Sequence, residues 1–306
     1  MILSCGEALI DMLPRDTTAG EPAFAPYPGG AVFNTAIALG RLGAPSGFFC
    51  GLSTDLFGEL LDQALAASNV STAHAPRSAR PTTLAFVKLV DGQATYAFYD
   101  EGTAMRMMTP ADLPSLPPQI TTLFFGGISL VGEPCGGAFE ALMTREAAAR
   151  VIMIDPNIRP SFITDAPAYR ARIARMIALA DIVKLSDEDL HWLCGPGDLT
   201  MLARGLLTTG PSLICLTEGS KGARAVTTTG EVTVAATKVT VADTVGAGDT
   251  FNAGILAALH RAGVLNKTTL KTLDDSIIRD ALTLGTKSAA ITVSRAGANP
   301  PWANEL

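Results

Sequence analysis

Near the C-terminal end the chain reads Asp243-Thr-Val-Gly-Ala-Gly-Asp249-Thr-Phe-Asn252-Ala-Gly254. Gly246 and Gly248 stand just before a helical stretch, Thr250–Arg261. Small residues at a helix start let backbone N–H groups converge on an anion, and the helix dipole adds favourable potential there. Gly246, Ala247 and Gly248 are therefore a candidate anion hole, with Asp249 at its mouth. A carboxylate in that position suits a general base, which accepts a hydroxyl proton while the hole stabilises charge on the transferred group. The plainer alternative makes Asp249 an N-cap and the glycines a turn. The paired acids Asp243 and Asp249, the small residues between them and the small-faced helix that follows favour the chemical reading.

Working outward, short apolar runs alternate with longer amphipathic stretches. Strands are expected at Ile2–Cys5, Ser46–Gly51, Thr122–Phe125, Val151–Ile154, Ile182–Leu185 and Leu213–Leu216. Helices are expected at Ala31–Leu42, Gly58–Ala67, Ala138–Ala149, Tyr169–Ala180 and Leu199–Leu207. This alternation, with near-continuous apolar strands, predicts an α/β fold whose parallel sheet is covered on both faces. One region breaks the rhythm: Thr83–Val90, the turn pair Asp91-Gly92 and Ala94–Tyr99 read as a hairpin. The proline-rich residues 12–27 are expected to join it in an accessory sheet. A second glycine-led helix opens at Pro28-Gly29-Gly30-Ala31-Val32-Phe33-Asn34. Its double glycine permits close approach of a ligand to backbone, and Asn34 can both donate and accept hydrogen bonds, as a polyol requires. The bland reading is a helix start with a turn.

Composition narrows the classes. The 306 residues are 48% hydrophobic and 17% charged, enough to bury a large core. Net charge is −6, from 23 basic and 29 acidic residues, which disfavours a nucleic-acid binder. The five cysteines, Cys5, Cys50, Cys135, Cys194 and Cys215, form no C-x-x-C pair and read as buried cytosolic thiols. The first residues carry no signal-peptide pattern. The long uncharged stretch from Leu113 to Gly132 holds too many prolines and glycines to span a membrane, so the expected location is the cytoplasm. His74, His191 and His260 lack metal-ligand spacing, and no P-loop or dinucleotide fingerprint is present.

The segments GGAVFNTAIALGRLG (29–43) and DTVGAGDTFNAG (243–254) resemble the paired signatures of the PfkB, or ribokinase-like, carbohydrate kinases. GEALID at Gly6–Asp11, DPNIRP at Asp155–Pro160, VKLSDEDL at Val183–Leu190 and TEGSKGA at Thr217–Ala223 extend the likeness over essentially the whole chain. GEALID, DPNIRP and KLSDED resemble the bacterial fructokinase branch more than ribokinases or adenosine kinases. The resemblance implies one three-layer α/β/α domain over 1–306, with a mostly parallel central sheet and a small β lid from about 12–27 and 80–105. It implies ATP-dependent phosphorylation of a sugar primary hydroxyl, the 6-hydroxyl of fructose first. 2-Keto-3-deoxygluconate kinase remains open, with Tyr96, Tyr99 and Arg106 as candidate contacts for that sugar's carboxylate. A catalytically idle sugar- or nucleotide-binding regulator is the alternative from another class.

By the same resemblance, Asp249 is the catalytic base and Gly246, Ala247 and Gly248 are the anion hole. Asp11, Gly29, Gly30 and Asn34 contact sugar hydroxyls, and Arg159 reaches sugar or phosphate. Lys184, Thr217, Gly219 and Gly222 fall where the family holds ATP. Either Glu188 or Asp189 organises Mg²⁺ through water, since Ser186 and Asp189 stand where many relatives carry N-x-x-E. Asp243, Val245, Thr292, Arg295 and Gly297 match a K⁺ site. The lid also implies a homodimer, with a small sugar and ATP as the other partners.

Overall fold

The computed structural model describes residues 1–90 and 93–306. Strand β1 (Ile2–Cys5) leads into β2 (Leu9–Asp16), β3 (Pro22–Gly29), α1 (Ala31–Arg41), β4 (Ser46–Phe49), β5 (Leu52–Ser53), α2 (Leu56–Ala67), β6 (Val70–Ser71) and β7 (Arg77–Ser78). Then come β8 (Leu84–Val90), β9 (Gln93–Tyr99), β10 (Thr122–Gly126), α3 (Cys135–Glu146), β11 (Val151–Asp155), α4 (Ala166–Leu179), β12 (Ile182–Ser186), α5 (Asp187–Cys194) and α6 (Leu199–Leu207). The chain continues through β13 (Leu213–Thr217), β14 (Ala223–Val226), β15 (Glu231–Val234), α7 (Ala247–Arg261) and α8 (Asp275–Val293).

Nine strands form the main sheet in the order β15-β14-β13-β12-β11-β10-β1-β4-β6. Every pairing from β6 across to β13 is parallel, and β14 and β15 close one edge antiparallel. Neighbouring residues on a strand point to opposite faces. Phe48 and Phe49 are nevertheless both fully buried, as are Phe124 and Phe125, so helices cover both faces. Each such buried phenylalanine contributes about 1.5–3 kcal/mol of hydrophobic stabilisation. The expected α/β architecture is thus present.

Four strands form a second sheet, ordered β3-β2-β8-β9. The register aligns Tyr27, Asp11, Ala85 and Phe98 in one row. Phe98 meets Phe162 of the main domain with ring centroids 4.5 Å apart. The opposite face carries an aromatic cluster, Phe24 on Phe86 and Phe86 on Tyr99, and its outer members Phe24 and Tyr99 are exposed. The hairpin expected at 83–99 is present as β8 and β9; its Asp91-Gly92 turn and the side chain of Tyr96 lie outside the described residues. Residues 9–29 supply the other two strands, so this sheet draws on both segments of the expected excursion.

Several boundaries differ from expectation for local reasons. Helix α4 starts at Ala166, not Tyr169, because Asp165 caps it, accepting from the Ala168 N–H, and Pro167 follows in the first turn. Helix α7 starts at Ala247, straight after Gly246 in the left-handed conformation (φ 79°). Strands β14 and β15 and helices α5 and α8 were not expected. Cys5, Cys50, Cys135 and Cys215 are buried free thiols, but Cys194 at the end of α5 is exposed. Among the described residues, no helix is long and apolar enough to cross a membrane.

Candidate active site

The start of α7 has no side-chain cap, because the residue at its N-cap is Gly246. A helix leaves its first N–H groups without intrahelical partners; that of Ala247 donates to the Thr244 carbonyl at 3.4 Å, which leaves those of Gly248 and Asp249 toward the space before the helix. A Cβ on Gly246 would lie 2.7 Å from the Ala298 Cβ, and one on Gly248 would lie 3.1 Å from the Lys184 Nζ. Asp249 is in this first turn and buried. Its Oδ2 accepts a 2.9 Å hydrogen bond from Asn34 Nδ2, and its carbonyl accepts from the Thr35 hydroxyl at 3.2 Å. These bonds join the starts of α1 and α7. Burial pushes the Asp249 carboxyl up to about 7, and Asp155 and Glu7 add to the rise. The Asn34 bond and the Lys184 ammonium pull the other way. A buried carboxyl that titrates near neutrality can exchange protons at little cost.

The start of α1 is built differently. Gly30 (φ 111°) supplies no cap, and Glu7, from the β1–β2 connection, fills the role. Its Oε1 accepts from the N–H groups of Ala31 (2.9 Å) and Val32 (3.4 Å), and its backbone carbonyl accepts from that of Phe33 (3.2 Å). Its Oε2 accepts from the Ser129 N–H at 3.2 Å. Burial raises the Glu7 carboxyl above the usual range. Beside it, Asp11 Oδ2 lies inside contact distance of where a Cβ on Gly29 would sit, and burial pushes this carboxyl up to about 6. The double glycine thus leaves room for two acidic residues of the chain itself, the Asp11 carboxylate beside Gly29 and the Glu7 backbone carbonyl beside Gly30.

Behind Asp249 lies a buried polar group. Lys184 Nζ and Asn252 Nδ2 both donate to Asp155 Oδ2, at 3.0 and 2.7 Å. Burial alone would lower the Lys184 ammonium, but the carboxylates of Asp155, Asp189 and Asp249 hold it above the ordinary lysine value. Asn252 Oδ1 is buried without a partner among the described residues. Asp189 is buried too. It forms a capping box with Ser186 at the start of α5 and accepts from the Ile158 N–H at 3.0 Å. Burial and Asp155 raise its carboxyl. The Ser-x-x-Asp spacing is first of all a helix cap, while Glu188 beside it is exposed. Among the described residues, no three His, Cys, Asp or Glu side chains cluster closely enough to hold an ion unaided. The oxygen donors present, with the orphaned Asn252 Oδ1, fit Mg²⁺, which keeps water and substrate phosphates as ligands.

The remaining expected residues divide into groups. Ser186 pairs with Thr217 across β12 and β13, and Gly219 and Gly222 shape the turn that follows, so with Lys184 they line adjoining strand ends. Arg159 is exposed and donates to the Ile158 carbonyl, so the structure does not join it to the Asp249 group. Asp243 accepts from the Val245 and Gly297 N–H groups, each at 3.0 Å, tying the loop before α7 to the loop after α8. Thr292 Oγ1 lies 3.0 Å from Thr250 Oγ1, whereas Arg295 turns to Glu305 at 2.5 Å. Three participants went unassigned in the sequence: Glu7, Asp155 and Asn252. Glu7 follows β1 and Asp155 ends β11, and the C-terminal ends of parallel strands are where ligands bind in open α/β sheets. That position was the available signal.

The pfkB family carbohydrate kinase profile matches residues 1–305. The chain is 58% identical over 280 residues to a fructokinase of Rhizobium leguminosarum bv. trifolii, covering 92% of this chain and 86% of that protein. The fold matches a crystal structure of a fructokinase with bound ATP from Xylella fastidiosa, with a TM-score of 0.87 at 29% identity, over 97% of this chain and 93% of that one. A double-mutant fructokinase of Vibrio cholerae, in a form with fructose, ADP and potassium ion bound, matches with a TM-score of 0.84 at 26% identity, again over 97% and 93%. Two glycine-led helix starts, joined through Asn34 and Asp249, sit in a chain matched from end to end, and the protein belongs to the pfkB family of carbohydrate kinases.

Proposed function

We propose that the chain is an ATP-dependent fructokinase that transfers the γ-phosphoryl group to the 6-hydroxyl of fructose. The observation that carries this reading is Asp249: a buried carboxyl pushed up to about 7 at the uncapped start of α7, in a chain so close to the rhizobial enzyme. Asp11, Gly29, Gly30 and Asn34 hold the sugar hydroxyls. Asp249 takes the proton of the attacking hydroxyl, the hydroxyl oxygen forms the new P–O bond, and ADP leaves with the electrons of the broken one. The N–H groups of the 246–249 turn stabilise the charge on the moving phosphoryl group. Lys184, Thr217, Gly219 and Gly222 serve the nucleotide, with Lys184 acting from below the anion hole. Asp189, Glu188, Asp155 and Asn252 would hold Mg²⁺ with the nucleotide, where it would supply neutralisation of phosphate charge. K⁺ held by Asp243, Val245, Thr292, Arg295 and Gly297 would stiffen the loops that frame the hole.

The four-stranded sheet acts as the lid that excludes water, since Phe98 already meets Phe162 across the gap. Its outer aromatic face suits a homodimer, as an exposed apolar sheet face calls for a partner. Free thiols and ATP use fit the cytoplasm. The rival 2-keto-3-deoxygluconate reading needs a cation for the substrate carboxylate. Arg106 is already held by Asp100 (2.7 Å) and the Glu133 carbonyl (2.7 Å), and Tyr99 is 63% exposed on the lid's outer face. An ADP-release assay across fructose, 2-keto-3-deoxygluconate, ribose, tagatose and adenosine, with and without K⁺, tests the reading. Fructose is expected to give the highest kcat/KM. Turnover of another substrate without turnover of fructose would overturn the specificity, and sugar binding without turnover of any would overturn the enzyme reading.

A further inference from the structure

We propose that Glu7 is the positioning residue that sets Asn34 against Asp249, by completing the start of α1 from outside the helix. The proposal rests on the reading of Asp249 as the base. One residue satisfies the whole first turn of α1: the Glu7 carboxylate takes the N–H groups of Ala31 and Val32, and its carbonyl takes that of Phe33. The next residue is Asn34, whose amide reaches Asp249. The other carboxylate oxygen is held by the Ser129 N–H, in the turn after β10. Glu7 therefore fixes α1 to the ends of two central strands, and Asn34 follows rigidly.

The surroundings are shaped to the carboxylate. Glu7 is 1% exposed. A Cβ on Gly127 (φ 70°) would sit inside contact distance of Glu7 Oε1, and a Cβ on Gly30 would lie 2.9 Å from the Glu7 carbonyl. Gly127 leaves room for the carboxylate and Gly30 for the backbone of this one residue. An anion at a helix start is favoured by the dipole and the free N–H groups. Here the anion belongs to the protein, so this helix start is closed to phosphate and its task is alignment. Glu7 touches neither Asn34's amide nor the reacting atoms; beyond its charge, which adds to the rise of the Asp249 carboxyl, it acts through the placement of the turn.

A double-mutant cycle tests this. E7Q keeps the length of the side chain, E7D keeps the charge, and each is combined with N34A. Steady-state ADP release with fructose gives kcat/KM, and a melting curve reports folding. E7Q and E7D are each expected to lower kcat/KM by about 10- to 10²-fold, the loss that slight misplacement of a reacting group brings. E7Q/N34A is expected to be no slower than N34A alone, because Glu7 acts through the placement of Asn34. Losses that multiply, wild-type turnover of E7Q, or failure of both single variants to fold would each overturn the proposal. Asp249→Asn in the same assay separates the two claims. Normal turnover there overturns the base assignment, whereas normal turnover of E7Q beside a crippled Asp249→Asn overturns only the role of Glu7.

Discussion

Helices α1 and α7 begin alike in sequence and unlike in structure. Each follows glycine with positive φ, Gly30 and Gly246, and neither is capped by that residue. At α1 the buried carboxylate of Glu7 occupies the first-turn N–H groups. At α7, among the described residues, no side chain accepts from the first-turn N–H groups, and only that of Ala247 is engaged, by the Thr244 carbonyl. The same backbone device thus serves two ends: one helix start is closed from within and becomes a rigid post, the other stays open to an incoming anion. Asn34 and Asp249 join them, so the fixed helix aligns the base of the open one.

The largest expected effect removes the base. Asp249→Asn should lower kcat by about 10²-fold or more, in line with general-base contributions, while a melting curve stays near wild type. Substituting the two N-cap glycines should then separate the helix starts. Gly246→Ala forces a side chain into φ 79° and against Ala298, so the open N–H groups shift and kcat falls by about tenfold, as misalignment of a reacting site would bring. Gly30→Ala at φ 111° drives a Cβ onto the Glu7 carbonyl. It should cost about 1–3 kcal/mol of stability, read as a lower denaturant midpoint, and raise KM for fructose through the sugar contacts of Gly30 and Asn34. Equal losses of rate and stability in both variants would erase the distinction between the two starts.

A smaller effect concerns proton affinity. The Asn34 amide donates to Asp249 and favours the ionised carboxylate, so it holds the carboxyl down. Asn34→Ala should therefore raise it, and the acidic limb of kcat should move to higher pH. A shift to lower pH would mean that Asn34 does not act on the base. The smallest effect lies far from both helix starts. Tyr99→Ala on the outer face of the four-stranded sheet should weaken the proposed dimer in sedimentation experiments and leave kcat within about twofold, as for surface changes away from the chemistry.

The fold was legible because burial on both sheet faces leaves a direct mark, apolar runs such as Phe48-Phe49 with no alternation. The open helix start was legible because glycine spacing and an adjacent acid are local signals. What the sequence hid was long-range. Glu7 lies 24 residues from the Ala31 N–H it holds, and Asp155 lies 97 residues from Asn252. No spacing rule connects them; only the parallel order of β1, β10 and β11 brings their ends together. Asp189 shows one local pattern with two readings. Its spacing from Ser186 resembles a metal motif, yet its carboxylate is engaged with the Ser186 and Ile158 N–H groups.

The pH dependence of kcat at saturating fructose and ATP tests the central claim most directly, because it reports the base within the enzyme–substrate complex. With Asp249 as that base, activity should rise as the carboxyl loses its proton, with a midpoint near about 7, and Asp249→Asn should lack the limb. A wild-type profile that stays flat from about pH 5 to about pH 9, outside the range of an ordinary carboxyl, would contradict the account.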